Sequence, residues 1–382
     1  MTLIEPSWDE ARKIASNVGS ALATEEIELS ASCNRVLAID ATALVDLPTY
    51  ETSAMDGYVV AGSGPWKVIG EIKAGAPYSE KLNEGEALGI ATGAVIPEGA
   101  YGVIRWEEAN LSGDLLNGVT SFRKDFRPAG EEARNGEVLI KCGSAITPGM
   151  IGLLAASGYD RAKVFIRPKV SLLIFGDEIQ LSGLPKNGLV RDSLGPQLPA
   201  WFEKLGCDVI AVQYVSDNLE KTIDAIKKAS EISDLIVTTG GTAEGPRDYL
   251  KPAIGKINGE LLIDKVAVRP GHPQVLAKVS RTPLIGLPGN PQSAVVALMT
   301  LGAPIIDSMF GRAQRELPLI SSDDQFDAQP GFTRLVLGNL KNGRFHMAKH
   351  LGSAMLRGLA HADGFAVCTN PPSTLRWLGL PL

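Results

Sequence analysis

The chain has 382 residues, longer than one compact core usually runs, and length alone points to about two to four domains. Its 45% hydrophobic and 21% charged content is that of ordinary folded domains. A net charge of −6 with no long basic run argues against a nucleic-acid partner, because phosphate-backbone binding needs a concentrated basic surface.

The N-terminal segment MTLIEPSWDE carries acidic residues where a secretory leader carries basic ones. Ser7-Trp8-Asp9-Glu10 fits a capping box after Pro6, and Ala11, Ile14, Ala15, Val18 and Leu22 follow at helical spacing, which predicts an amphipathic helix over 7–22. From about 25 to 165 short alternating runs (66–72, 86–90 and 102–106) are separated by Gly, Pro and Asn; these predict strands joined by tight turns. Gly149 to Gly158 reads as a short helix ended by a glycine.

Arg167-Pro168 marks a boundary. Beyond it, apolar strand-like runs at 169–175, 208–215, 235–239 and 284–287 alternate with helical stretches at 194–205, 219–230 and 291–301, the last opening on Pro291. That alternation predicts a parallel sheet covered on both faces. From about 315 the texture changes again. Residues 318–340 alternate like strands, 352–360 read as a short helix and 364–368 as a strand. The fold class expected is therefore α/β: an elongated multidomain protein with a parallel α/β middle domain (168–314), a β-rich N-terminal region (1–167) and a small β-rich C-terminal domain (315–382).

The four cysteines, Cys33, Cys142, Cys207 and Cys368, are far apart, which fits reduced thiols rather than a zinc site or a disulfide framework. No apolar run reaches the ~18–20 residues of a membrane span. The expectation is a cytoplasmic protein with no membrane partner.

The chemistry is concentrated where the middle-domain strands end. In a parallel α/β sheet the loops after the strands converge on one edge, where ligands bind. Here those loops carry Gly176-Asp177-Glu178, Ser216-Asp217-Asn218, Gly240-Gly241-Thr242 through Asp248, and Leu287-Pro288-Gly289-Asn290-Pro291. Four carboxylates and two glycine-rich turns at one edge point to a phosphate-bearing ligand with a divalent metal. Gly240 and Gly241 let backbone N–H groups approach a phosphate, and Thr242 can add a hydroxyl donor. Asp248 can return to the edge as a metal ligand or a water-positioning base. Of the adjacent pair Asp177 and Glu178, one faces the ligand; solvated loop charges or a helix cap are the alternative. Hard oxygen ligands of this kind suit Mg²⁺ completed by substrate phosphates.

Pro288 and Pro291 stiffen the last loop, Gly289 permits close approach, and the helix that follows offers partial positive charge to an anion, with Ser293 in its first turn. Upstream, Arg269-Pro270-Gly271-His272-Pro273 places two groups able to carry positive charge on another stiff turn, which suits a small oxyanion; a structural cis-proline or tight turn is the alternative. Ser53-Ala54-Met55-Asp56-Gly57-Tyr58 puts a carboxylate beside a glycine turn.

PTYETSAMDGYVV (48–60), ATGAVIPEGA (91–100), FRPAGEEARNGEVLI (126–140), the 176–178 loop, GLPGNPQSAVVAL (286–298) and GSAMLRGLAHADG (352–364) together resemble the MoeA/gephyrin E-domain family, the molybdopterin molybdenumtransferases. The resemblance spans nearly the whole chain. It implies a homodimer that binds adenylylated molybdopterin and molybdate, inserts the metal into the dithiolene and releases AMP in a Mg²⁺-dependent step. A MogA-like adenylyltransferase and molybdoenzyme maturation factors would be its neighbours. By that resemblance Asp56, Glu178, Asp217 and Asp248 are catalytic, with Glu178 and Asp248 holding Mg²⁺ and Asp56 reaching across the dimer. Ser53, Thr92, Asp192, Ser193, Gly240, Gly241, Thr242, Pro288, Gly289, Asn290 and Pro291 bind substrate. Arg269, His272, Ser293, Arg334 and Ser353 face molybdate.

The chain departs from the family pattern in five places. Arg269 and His272 stand for two lysines. The glycine loop reads GGTAEG rather than GGVSVG, which adds Glu244. Phe175 replaces a threonine and Leu194 an asparagine. TTGGTAEGPRD also resembles the related pterin adenylyltransferases. An adenylyltransferase and a non-catalytic dimeric binding paralogue are the alternative readings.

Overall fold

The computed structural model describes residues 2–382 except 74, 244, 246, 247, 315, 327 and 370–374. The chain forms two compact units, Met1–Glu25 with Phe165–Leu382, and Glu26–Val164.

The first unit is built on a seven-stranded sheet. Its elements in chain order are β1 (Leu3–Ile4), α1 (Trp8–Val18), β2 (Lys169–Phe175), α2 (Leu194–Lys204), β3 (Asp208–Val215), α3 (Leu219–Ile232), β4 (Leu235–Thr239), α4 (Leu250–Lys256), β5 (Glu260–Asp264), β6 (Val275–Val279) and β7 (Thr282–Leu287). The sheet order is β1-β5-β6-β7-β4-β2-β3. Strands β3, β2, β4 and β7 run parallel, whereas β6 is antiparallel to both β7 and β5. The continuous apolar runs of β2 and β4 are buried, as expected for central strands covered on both faces. Strand β3 is an edge and leaves Ile210, Val212 and Tyr214 exposed. The expected α/β architecture with a largely parallel sheet is thus present, with β6 as an antiparallel insertion.

Helix α1 starts where its capping box predicts: Ser7 Oγ accepts the Glu10 N–H at 3.3 Å. It stops at Val18 rather than at 22, because Gly19 adopts an extended conformation. Trp8 is fully buried and its indole N–H donates to Thr300 Oγ1 at 2.9 Å. The Arg12 guanidinium lies over the Trp8 ring and donates to the Met299 carbonyl at 2.5 Å. Burial, set against Asp307 and Asp9, pulls the Arg12 pKa down to about 10.

The helix begun by Pro291 runs further than its predicted end at 301. Pro291–Ala297 (α5) passes through a π turn at Leu298–Gly302 into Ala303–Met309 (α6). Pro304 has no N–H to offer the carbonyl four residues earlier, and the ladder widens just before it. This also corrects the expectation that no apolar stretch is long enough to span a membrane. Pro291–Met309 has 19 residues and is long and apolar enough to span one, but 89% of its most apolar window is buried inside the fold. Its apolarity serves the core.

The C-terminal part of this unit is a second sheet. It comprises β8 (Thr333–Lys341), β9 (Arg344–Met347), α7 (Leu356–Leu359), β10 (Gly364–Cys368) and β11 (Leu375–Gly379). Its strand order is Ser321–Ser322, β9, β8, β10, β11. The alternation over 318–340 predicted more strand than forms, and the helix predicted over 352–360 shrinks to the single turn of α7. Val268–Arg269, from the loop between β5 and β6, pairs with β8 and joins the two sheets.

The second unit holds a six-stranded sheet ordered Gly102–Arg105, Gly57–Val60, Glu86–Ile90, Trp66–Ile72, Leu115–Asn117, Asn110–Ser112. Its faces bury separate cores, so neighbouring residues Val59 and Val60 point into different clusters. A further core packs the helix Pro148–Ala156, whose Thr147 Oγ1 accepts the Met150 N–H at 3.3 Å.

Candidate functional site

The parallel strands end in loops that hydrogen-bond to one another. The Gly240 N–H donates to the Leu287 carbonyl at 2.8 Å, which ties the glycine turn to the start of the Pro288–Pro291 loop. Both glycines have positive φ, 75° and 65°, a backbone that favours glycine; with the Gly240 N–H spent on Leu287, the Gly241 N–H is the donor this turn can offer a ligand. The Asp177 N–H faces Asp217 Oδ2 at 3.5 Å and the Asp217 N–H faces Asp177 Oδ1 at 3.4 Å. Asp177 and Asp217 therefore brace their loops reciprocally. Glu178, the other carboxylate of its pair, is exposed at the edge.

Asp248 Oδ2 accepts the Gly245 N–H at 2.5 Å, which closes the loop. Thr242, expected as a hydroxyl donor, is buried. The departure at Glu244 lies outside the described residues, with Pro246 and Arg247 beside it. Phe175 stands beneath the glycine turn, 3.4 Å from where a Gly241 β-carbon would be.

Asp192 is committed to the fold. It is buried, its Oδ1 accepts the N–H groups of Leu194 and Gly195 at 3.0 Å each, and its Oδ2 accepts the Tyr214 O–H at 2.7 Å. It caps α2, while Ser193 makes no capping bond. Burial first, and then the Asp192 hydrogen bond and charge, push the Tyr214 hydroxyl up to about 12.

A cavity of about 500 Å³ gathers Arg269, His272, Ser293, Arg334 and Ser353 from four separate segments. Pairing of Val268–Arg269 with β8 puts Arg269 directly in register with Arg334. The Arg269–Pro270 bond is cis, and Gly271 has φ +95°. A β-carbon on Gly271 would come within 3.2 Å of the Ser293 carbonyl and the Val296 side chain, so glycine allows this turn to lie against α5.

Opposite, Pro288 and Asn290 line the cavity and Pro291 opens α5; Gly289 precedes Asn290 on the exposed loop. The buried Ser293 and the N-terminal end of the α5–α6 helix face the same space. Ser353 is held there because its carbonyl accepts the Gln292 N–H at 3.0 Å and its Oγ accepts Asn290 Nδ2 at 3.4 Å.

Two neighbours of this cavity went unnoticed in the sequence. His272 Nε2 lies 2.6 Å from Glu5 Oε1, a partner 267 positions away. Phe332 packs against both Arg269 and His272. Its ring is 5.3 Å from the Arg269 guanidinium and 5.6 Å from the His272 ring centroid. An aromatic residue two positions before Arg334 was the only available signal for Phe332, and nothing local marked Glu5.

In the second unit, Ser53 is buried, donates to the Met55 carbonyl at 2.6 Å and accepts the Met55 N–H at 3.4 Å, so its hydroxyl shapes the turn. Asp56 is exposed and its Oδ1 accepts the Thr92 N–H at 2.6 Å, which brings together two residues singled out separately.

Among the described residues, no three His, Cys, Asp or Glu side chains form a metal cage. Glu178 and Asp248 are carboxylates carried on loops that follow parallel strands. Two carboxylates of that kind fit Mg²⁺ once phosphate oxygens and water complete its octahedron, and would not suffice for a protein-only site.

Comparison with known proteins gives a consistent result. Residues 6–158 match the model of the MoeA N-terminal region (domains I and II), and residues 171–308 match that of a probable molybdopterin-binding domain. A Staphylococcus aureus (strain COL) molybdopterin molybdenumtransferase is 33% identical over 343 residues, which is 86% of this chain and 82% of that protein. A Haemophilus influenzae protein of the same name is 32% identical, over 87% of this chain and 82% of that one. Two solved structures of a molybdopterin biosynthesis MoeA protein from Pyrococcus horikoshii superpose on 98% of this chain and 97% of theirs, with TM-scores of 0.79 and 0.81 at 25% and 22% identity.

Proposed function

This chain belongs to the molybdopterin molybdenumtransferase family, and from that premise we propose that it inserts molybdate into adenylylated molybdopterin and releases AMP in a Mg²⁺-dependent step. It is a transferase of molybdenum cofactor biosynthesis. The observation that carries the molybdate reading is the register pairing of Arg269 with Arg334 beside Ser293 and Ser353, around one cavity. Molybdate is a compact dianion. Two guanidinium groups supply its countercharge and two hydroxyls its hydrogen bonds.

The Gly240-Gly241 turn receives the pyrophosphate of the substrate on the Gly241 N–H, its Gly240 N–H being held by the Leu287 carbonyl. Glu178 and Asp248 would hold Mg²⁺, which would supply electrostatic stabilisation of phosphoryl oxygens. Water adds to the adenylyl phosphorus, and the phosphoanhydride P–O bond breaks. AMP leaves, and the molybdopterin retains its phosphate. Fixed N–H donors and the arginines stabilise the charge that builds up on the way. Asp217, joined to Asp177, keeps the loop of Glu178 in place.

The working form is a cytoplasmic homodimer in which Asp56 of one protomer, fixed by the Thr92 N–H, completes the site on its partner. A MogA-like adenylyltransferase supplies the substrate, and maturation factors take the product to molybdoenzymes.

The test is AMP release from adenylylated molybdopterin by the purified protein with Mg²⁺, with and without molybdate. Release that depends on molybdate is the expected result. A folded protein that binds the nucleotide and releases no AMP in either condition would overturn the reading.

A further inference from the structure

The C-terminal sheet carries a second cavity that the insertion chemistry does not use. Its volume is about 360 Å³ and its lining includes Lys349, His350, Arg357 and His361, together with Asn339 of β8 and Met347 of β9. Four basic side chains meet there and no carboxylate lines the space, in a chain whose net charge is −6. No hydrogen bond or ion pair engages any of these four side chains among the described residues.

The fold holds the group together through its backbone. The Ala348 N–H donates to the Leu337 carbonyl at 2.9 Å and lays the 348–350 segment on β8. The His350 carbonyl then packs against Gly358, where a β-carbon would come within 2.2 Å of it. That close approach brings α7, with Arg357 and the following His361, up to Lys349 and His350. Asn339 Oδ1 accepts the Asp363 N–H at 2.8 Å, so the end of this carboxamide left for the cavity is its NH₂ donor.

Like charges repel one another, and a fold that gathers the Lys349 and Arg357 cations with two imidazoles around one hollow is stabilised by an anion placed among them. We propose that this cavity is an anion site for clustered phosphate oxygens, as carried by pyrophosphate or by the phosphates of a nucleotide. Lys349 and Arg357 supply fixed charge, and Asn339 with the two imidazoles supplies hydrogen bonds. The site is independent of the molybdate cavity, to which it contributes no residue, although both flank the 347–358 segment: Leu351 and Ser353 line one, Lys349 and His350 the other.

Calorimetric titration of the full-length protein with inorganic pyrophosphate at low ionic strength tests this. The first cavity is disabled by Arg269→Ala/Arg334→Ala, and pyrophosphate binding should persist. Adding Lys349→Ala/Arg357→Ala should then weaken it by about tenfold or more, the scale expected for losing hydrogen bonds between charged groups. Lys349→Arg/Arg357→Lys should restore most of it. Both side chains are exposed, so the melting temperature should not move. Parallel titrations with phosphate and AMP separate the sources: AMP binding near the pyrophosphate affinity assigns a nucleotide, and binding of the inorganic ions alone assigns a free oxyanion. The proposal is overturned by loss of pyrophosphate binding in Arg269→Ala/Arg334→Ala alone, or by its indifference to Lys349→Ala/Arg357→Ala.

Discussion

Arg269 and Arg334 are register partners across a parallel strand pair, two positive charges placed opposite one another by the backbone. Like charges in that arrangement oppose the pairing, and an oxyanion between them reverses the sign. Molybdate should therefore raise the melting temperature of the wild-type protein by mass action and leave Arg269→Ala/Arg334→Ala unmoved. Either single variant should bind molybdate about 10- to 100-fold more weakly, as expected when one charge-assisted contact is lost. Calorimetry and thermal melts in matched buffers measure both effects.

The His272 ring nitrogen faces Glu5 Oε1 at 2.6 Å. A carboxylate at that nitrogen offsets whatever positive charge the imidazole presents to the cavity. His272→Lys combined with Glu5→Gln adds a permanent charge and removes the offsetting one, and should tighten molybdate binding by about tenfold, roughly 1.4 kcal/mol. Phe332→Leu should act in the opposite direction, loosening both Arg269 and His272 and weakening molybdate binding several-fold with little change in Mg²⁺ dependence. Titration of the two variants against the wild type decides the matter.

Much of the α/β unit was legible because its signals are local. The apolar run of 169–175 and the capping box at Ser7 each dictate one element. Legibility failed where long-range packing decided. Helix α5–α6 extends to Met309 because nearly all of its length is buried, and the 352–360 stretch yields one turn because its chain is laid against β8 and α5 instead. In the candidate site, stiff turns and glycines revealed the Arg269 and Pro288 loops. The Arg269–Arg334 register and the Glu5 contact join segments that only the folded chain brings together. The spacing of Asp192 and Ser193 gave no warning that Asp192 is spent on α2 and Tyr214.

Asp192 accepts three hydrogen bonds while buried. Asp192→Ala should cost roughly 1–3 kcal/mol of stability, the usual penalty for orphaning buried donors and losing a helix cap, measured as a shift in the denaturant midpoint. Tyr214 adds a pH signature. Its hydroxyl titrates near 12 in the folded chain, above the value near 10 of an unfolded one. Folding therefore favours the protonated phenol. The associated stability is complete below about pH 10 and is lost as pH rises towards 12. Tyr214→Phe should flatten that alkaline decline in melts recorded between those limits.

The Arg105–Asp125 pair makes the opposite prediction, on the acid side. Arg105 Nε and an Nη donate to the two Asp125 oxygens at 2.9 and 2.8 Å, and that hydrogen bonding holds the Asp125 carboxyl below its ordinary value of 3.8. The folded state thus prefers the carboxylate. Its stabilising contribution is present above the unfolded value, near pH 4, and is lost as pH falls through the lower folded one. The same loop carries the Asp125 carbonyl that accepts the Ala54 N–H at 2.7 Å, next to the Asp56 turn. Asp125→Asn should remove this part of the acid limb, lower the melting temperature at neutral pH and bring it closer to the wild type below pH 4. Because it loosens the turn that presents Asp56, it should also lower molybdate-dependent AMP release while leaving molybdate affinity, set by Arg269 and Arg334, unchanged. A melting-temperature profile that matches the wild type at every pH would show that the pair contributes nothing.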